Sequence, residues 1–207
     1  MNLLAFDTCL DKTYITLYAN EKFVNRVIVS NSENYHSAYL ISTIVKILKE
    51  NNLTPRDLDC LATDIGPGSF TGIRACTTVA RMLAQQLEIK VIGVSSLEIL
   101  SKILGENDLV ALDARKNKAY VYDKKILGAV ELEKVDEIVK NRTLITDNSL
   151  FERFQTLSGT CVSYQQKDYE LGEILAKIAL DKLKMGVDTD WRKLKPLYIQ
   201  PPPVFGR

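Results

Sequence analysis

The chain has 207 residues, 46% hydrophobic and 26% charged, with 27 Lys and Arg set against 26 Asp and Glu. A chain of this size can build a core without disulfide or metal support, and a near-neutral total gives no global basic field for autonomous nucleic-acid binding. The opening MNLLAFDT reaches an acid at position 7 and has no basic lead before a long apolar run, so no secretory leader is expected. No run approaches the about 18–20 apolar residues of a membrane span, and a cytoplasmic location is expected.

The first 30 residues read as three strands. LLAFDT is an apolar run, TYITLYA alternates, and KFVNRVIVS follows an Asn20-Glu21 turn. A helix is expected over 36–51, a fourth strand in LDCLATDI, a second helix over 69–87 and a fifth strand in KVIGV. This order, β-β-β-α-β-α-β, defines a first lobe over 1–95 in which the helix-separated strands run parallel. A reduced second lobe over 96–207 opens with a short helix in SSLEILSKIL. It continues through DLVALDAR, KAYVYD and KKILGAV, a small helix in VDEIVK, a strand in RTLIT and a helix in NSLFERFQTL. A helix over 169–184 is free to pack back on the first lobe. The tail KPLYIQPPPVFGR, with Pro201, Pro202 and Pro203, cannot extend a helix or a central strand. No internal repeat is visible in the residues.

DIGPGSFTGIR, residues 64–74, has the shape of a strand end, a glycine loop and a helix start. Gly66 and Gly68 permit torsions that other residues avoid. Pro67 removes one N–H, Ser69 is placed as an N-cap, and Thr71 and Gly72 fill the first turn. Free N–H groups at such a start favour an anion. Yet no lysine followed by Ser or Thr completes a P-loop, and the spacing of Gly66, Gly68 and Gly72 misses GxGxxG. The competing reading is a tight turn with close packing.

Both first-lobe helices carry more apolar surface than a sheet needs. On the second, Ile73, Cys76, Ala80, Ala84 and Leu87 share a face that Val79, Leu83, Ala75 and Met82 widen. On the first, Leu40, Ile44 and Ile47 lie on one side, with Ile41, Leu48 and Val45 on the next. A stripe a little over about 100° wide would seat a helix. The excess is either covered by the chain itself or offered to a partner.

His36 is the single histidine, which excludes two-histidine metal centres, and no GxSxG elbow is present. Cys9, Cys60, Cys76 and Cys161 lie far apart without a CxxC pair and read as reduced core thiols rather than zinc ligands or bridges. Asp7, Asp64 and Asp113 end apolar strands, where carboxylates can hold Mg²⁺ around a phosphate. The Asp7 hairpin, however, continues Thr8-Cys9-Leu10 with no glycine to bare its backbone. A small ATPase or sugar-kinase-like enzyme using Asp7 and the 66–72 loop is the alternative class. A direct tRNA binder using Trp191, Arg192, Lys193, Lys195 and Tyr198 is a third.

GPGSFTGIR after a strand, IGVSSLE about twenty residues later, LLAFDT, DARKNKAYVY and KPLYIQ together resemble the bacterial TsaB family, also called YeaZ. The resemblance spans nearly the whole chain, most strongly 1–122. It implies an α/β protein with mixed sheets and the two-lobed, ribonuclease H-like fold of actin, heat-shock chaperone ATPases and sugar kinases. It further implies a non-catalytic relative of TsaD, the enzyme that places a threonylcarbamoyl group on N6 of tRNA adenosine 37, and no cofactor. On this resemblance the partners are a TsaD-like catalytic subunit and a TsaE-like ATPase, a homodimer forms in isolation, and tRNA is met through the complex. The expected interface comprises Tyr39, Leu40, Ile44, Ile47, Ile73, Cys76, Val79, Ala80 and Leu83. Asp7 and Thr8 would form a vestigial nucleotide site, and Cys9 and Leu10 depart from the smaller or polar residues of many relatives.

Overall fold

The computed structural model describes residues 1–28, 39–105 and 108–200. His36, the first residues of the helix expected over 36–51, and Pro201 to Pro203 lie outside them. Contacts divide the chain into two compact units, Met1–Ser96 with Glu170–Pro196, and Leu97–Tyr169 with Leu197–Arg207.

In the first unit β1 (Leu3–Asp7), β2 (Thr13–Ala19) and β3 (Lys22–Ile28) form an antiparallel meander. Asn20 and Glu21 turn it with φ of 51° and 61°, the pair of left-handed residues a two-residue hairpin requires. β4 (Cys60–Asp64) and β5 (Lys90–Val94) add parallel to β1, giving the order β3-β2-β1-β4-β5. β1, in the middle, is buried along its whole length, which is why LLAFD reads as a continuous apolar run.

Helices α1 (Leu40–Glu50) and α2 (Phe70–Leu87) share one core cluster with Leu4, Phe6, Leu17 and Leu61. Leu40, Ile44, Ile47 and Leu48 recur at the helical period and seat α1. Ile73, Cys76, Ala80 and Ala84 do the same for α2, and their small side chains let the helix lie close to the sheet. Ser69 caps α2 by accepting the Gly72 N–H at 3.3 Å, and Glu88 ends it in a left-handed conformation with φ of 56°. The helix expected over 169–184 is α6 (Leu171–Lys184), which packs on β1, β2, β4 and β5. Gly172 admits it to β2: a Cβ there would overlap the Thr16 hydroxyl.

The second unit repeats the pattern. β6 (Leu109–Asp113), β7 (Lys118–Tyr122) and β8 (Ile126–Glu131) form a meander, and β9 (Thr143–Thr146) and β10 (Thr160–Ser163) add parallel to β6, in the order β10-β9-β6-β7-β8. α4 (Leu132–Val139) and α5 (Asn148–Phe154) cover this sheet through Leu132, Val135, Val139, Leu150 and Phe154. The short α3 (Ser96–Leu100) follows β5. No helix among the described residues is long and apolar enough to cross a membrane.

Candidate functional site

β1 and β4 both end on an acid, and α2 starts directly beyond them. The geometry therefore brings Asp7, Thr8 and Cys9 against Asp64, the glycine loop and Cys76. Asp7 and Thr8 are each 2% exposed and Asp64 is fully buried. Asp7 Oδ1 accepts the Cys9 N–H at 2.5 Å, while its Oδ2 has no hydrogen-bond partner. Asp64 accepts the Gly66 N–H at 2.6 Å and the Ser96 hydroxyl at 2.7–2.8 Å. Burial pushes the Asp7 carboxyl up to about 8, with the Cys76 sulfur adding to the rise. Burial, then the Asp7 charge, hold the Asp64 carboxyl well above its ordinary value.

One side of the glycine loop is packed against the β1–β2 hairpin. Cys9 offers its carbonyl to the Ser69 N–H at 2.8 Å. Thr8 donates its hydroxyl to the Gly72 carbonyl at 2.8 Å. A Cβ on Gly68 would overlap the Cys9 carbonyl oxygen, and one on Gly72 the Thr8 carbonyl oxygen. Gly66 has φ of +99°, a conformation open to glycine. Thus Gly68 and Gly72 serve close packing on the β1–β2 hairpin. The N–H groups of Gly66, Ser69, Gly72 and Ile73 are all bonded within the chain, and Pro67 has none. Thr71 is exposed at the first turn.

Sulfur joins the same cluster. Thr8 N–H donates to Cys76 Sγ at 3.0 Å, and Thr8 Oγ1 lies 2.9 Å from it. Cys9 Sγ points at the Asp64 carbonyl at 3.6 Å. Burial, then the contact with Cys76, raises the Cys9 thiol well above its ordinary value. Burial also opposes the Cys76 thiolate, but hydrogen bonds from Cys9, Thr8 and Thr63 outweigh it and lower that thiol.

Of the residues expected at a partner interface, most are buried within the chain. Leu40, Ile44, Ile47, Ile73, Cys76 and Ala80 are each at most 4% exposed and form the core under both helices. The sheet takes these residues because they share the helical stripe that faces it. Val79 and Leu83 are half-buried against that core, and Tyr39 is 42% exposed. The apolar side chains left outside are Ile41 (51%) and Val45 (54%) on α1, and Phe70 (45%) and Met82 (64%) on α2. The helical wheel groups Ile41 and Val45 with Leu48, which is buried, and has Met82 widen the α2 face. Phe70 carries the Arg74 guanidinium 4.0 Å above its ring.

The basic stretch near the tail is largely tied to acids. Lys193 pairs with Asp188, Arg192 with Asp190 at 3.4 Å, and Arg81 lies 5.9 Å over the Trp191 ring. In the second unit, Asp113 donates its N–H to Asp147 Oδ2 at 2.6 Å and ion-pairs with Arg115.

A meander continued by two parallel strands, once in each unit and with helices on the sheets, defines the two-lobed ribonuclease H-like architecture shared by actin and the sugar kinases. A family model described as TsaD, tRNA N6-adenosine threonylcarbamoyltransferase, matches residues 25–153. The chain is 34% identical over 126 residues to the tRNA threonylcarbamoyladenosine biosynthesis protein TsaB of Buchnera aphidicola from Schizaphis graminum, covering 57% of this chain and 58% of that protein. It is 29% identical over 170 residues to the TsaB of Escherichia coli, covering 79% and 70%. The structure of YeaZ from Pseudomonas aeruginosa shares the fold, with a TM-score of 0.78 at 22% identity over 95% of this chain and 99% of that one. The chain belongs to the TsaB (YeaZ) family.

Proposed function

We propose that this chain acts in N6-threonylcarbamoyladenosine (t6A) formation on tRNA as a non-catalytic subunit. In this reading it pairs with a TsaD-like catalytic subunit across the outer faces of α1 and α2. The observation that carries the reading is the occupied glycine loop. Cys9 takes the Ser69 N–H, and the Thr8 and Cys9 backbones fill the space beside Gly72 and Gly68, while Ile41, Val45, Phe70 and Met82 stand exposed on the same lobe. The names of the relatives supply the pathway, and the α1–α2 face supplies the means of joining it. The mechanism is architectural: apolar side chains of both helices bury against the partner and hold its lobes in a competent arrangement. A stable pairing of this kind buries at least about 1,000 Å². In isolation the same face supports a homodimer, a TsaE-like ATPase joins the assembled pair, and tRNA is met through the complex.

The test is co-purification with the cell's own TsaD-like subunit, followed by nucleoside analysis of tRNA after depletion. Recovery of the partner and loss of t6A are expected. Normal t6A in depleted cells would overturn the reading. Calorimetry with ATP and Mg²⁺ separates it from the enzyme alternative: micromolar binding lost in Asp7→Ala would favour the latter.

A further inference from the structure

The Thr8-Cys9 hairpin and the first turns of α2 bring together three groups that the packing around the glycine loop does not require. A carboxylate oxygen of Asp7 and the sulfurs of Cys9 and Cys76 all lie within 4.8 Å of one another, and all three residues are buried. We propose that Asp7, Cys9 and Cys76 form a binding site for a thiophilic divalent cation of the zinc type, which clamps the β1–β2 hairpin to α2.

Three observations carry this. First, the spacing fits. Zinc binds sulfur at about 2.3 Å and carboxylate oxygen at about 2.0–2.2 Å, so tetrahedral ligand atoms sit about 3.5–3.8 Å apart. Ligand atoms within 4.8 Å of one another reach that arrangement by movements of about 1 Å. Second, Asp7 Oδ2 is buried without a hydrogen-bond partner. A buried, unsatisfied acceptor is costly, and a cation is a partner that satisfies it. Third, the surroundings suit a bound thiolate. Thr8 N–H donates to Cys76 Sγ at 3.0 Å, and Cys9 N–H fixes Asp7 through Oδ1, leaving Oδ2 free. Outer donors of this kind orient ligands. Two sulfurs select a soft ion over Mg²⁺. A fourth position falls to the Thr8 hydroxyl, 2.9 Å from Cys76 Sγ, or to water. Binding releases the protons held by the thiols and by the Asp7 carboxyl to the buffer and involves no redox change. The site is enclosed, so its role is structural: the metal fixes where α2 begins and hence the placement of its outer face.

The test uses the full chain, kept reduced, stripped of metal by refolding from denaturant with chelator, and refolded again with cobalt(II) or zinc(II). One equivalent of cobalt with a thiolate-to-metal charge-transfer band is expected. The band should vanish in Cys9→Ser and in Cys76→Ser, affinity should fall at least about tenfold in Asp7→Asn, and Cys60→Ser and Cys161→Ser should bind as wild type. Circular dichroism checks that each variant folds. Should the serine variants fail to fold, alkylation mapped on the wild-type chain decides: zinc slows modification of Cys9 and Cys76 at least about tenfold while leaving Cys161 unchanged. Three results overturn the proposal: a folded wild-type chain that takes up no metal, a charge-transfer band that survives in both folded serine variants, or zinc that leaves alkylation of Cys9 and Cys76 unaltered.

Discussion

Thr8 donates its hydroxyl to the carbonyl oxygen of Gly72 at 2.8 Å, and the two backbones approach so closely that a Cβ on Gly72 would lie 2.7 Å from the Thr8 carbonyl carbon. This contact decides what the glycine loop is for. A glycine kept for a ligand would tolerate alanine in the unliganded protein, whereas one kept for packing would not. Gly72→Ala should therefore destabilise the chain by at least about 2 kcal/mol, since the obstacle is backbone and cannot rotate away. Thr8→Val keeps the volume, loses one hydrogen bond, and should cost about 1 kcal/mol. Urea unfolding of both variants checks the order. A Gly72→Ala protein as stable as wild type would return the loop to a ligand-binding role.

The division of α1 and α2 into a buried and an outer face gives a second prediction. Val45→Glu and Met82→Glu place charge on side chains that are 54% and 64% exposed. Their stability should stay within about 0.5 kcal/mol of wild type. Their pairing with a TsaD-like subunit, or with a second copy, should be lost in size-exclusion and pull-down measurements. Ala80→Glu buries the same charge in the core, where Ala80 has no exposed area, and should unfold the protein instead. Undiminished pairing by the doubly charged Val45→Glu, Met82→Glu variant would remove this face from the complex.

Much of this was readable in the residues, and the unreadable parts have identifiable causes. LLAFD, TYITLYA and KVIGV are strands where their patterns put them, and Asn20-Glu21 turns the β2–β3 hairpin. A helical wheel gives which residues share a face, but not which part of a wide apolar arc the sheet will take. The sheet took Leu40, Ile44, Ile47 and Leu48 and left Ile41 and Val45 outside. Thr160–Ser163 is too short and too polar to declare itself, and it is a strand because β9 pairs with it along its length. The repetition of one sheet pattern in both units leaves no repeat in the residues, because strand order constrains burial rather than identity. Cys9 and Cys76 looked like separate core thiols because only the fold joins the hairpin to α2.

In the second unit, Asp147 joins two elements. Its Oδ1 caps α5 by accepting the Leu150 N–H at 3.1 Å, and its Oδ2 accepts the Asp113 N–H at 2.6 Å. Asp147→Ala removes a cap and leaves the Asp113 N–H without that acceptor, at a cost of about 1–3 kcal/mol. Asp147→Asn keeps one oxygen acceptor and should lose less. Hydrogen exchange locates the effect: the amides of Asp113 and Leu150 should exchange faster in the alanine variant, while those of β1 and β4 stay protected. Equal protection at Asp113 in both proteins would contradict the bridging role.

The return of the chain to its first unit rests on the meeting of Gly172 with Thr16, and this can be tested by compensation. A Cβ on Gly172 would overlap Thr16 Oγ1 and lie 3.5 Å from Thr16 Cβ and 3.3 Å from Tyr14 Cβ. The obstacle is thus chiefly one hydroxyl, which is held in place by donation to Asn25 Oδ1 at 2.7 Å. Gly172→Ala should destabilise by about 1–3 kcal/mol, because α6 must lift from β2 or the Thr16 hydroxyl must leave its partner. Thr16→Ala alone loses that hydrogen bond and should cost about 1 kcal/mol. In the double variant the new methyl occupies the space the hydroxyl left, so the combined loss should be smaller than the sum by about 0.5–2 kcal/mol. Strict additivity in urea unfolding would mean that α6 does not press Gly172 onto β2. Because α6 covers the face of β1 opposite to α1 and α2, the same cycle also asks whether the sheet that carries the outer helices is held from behind.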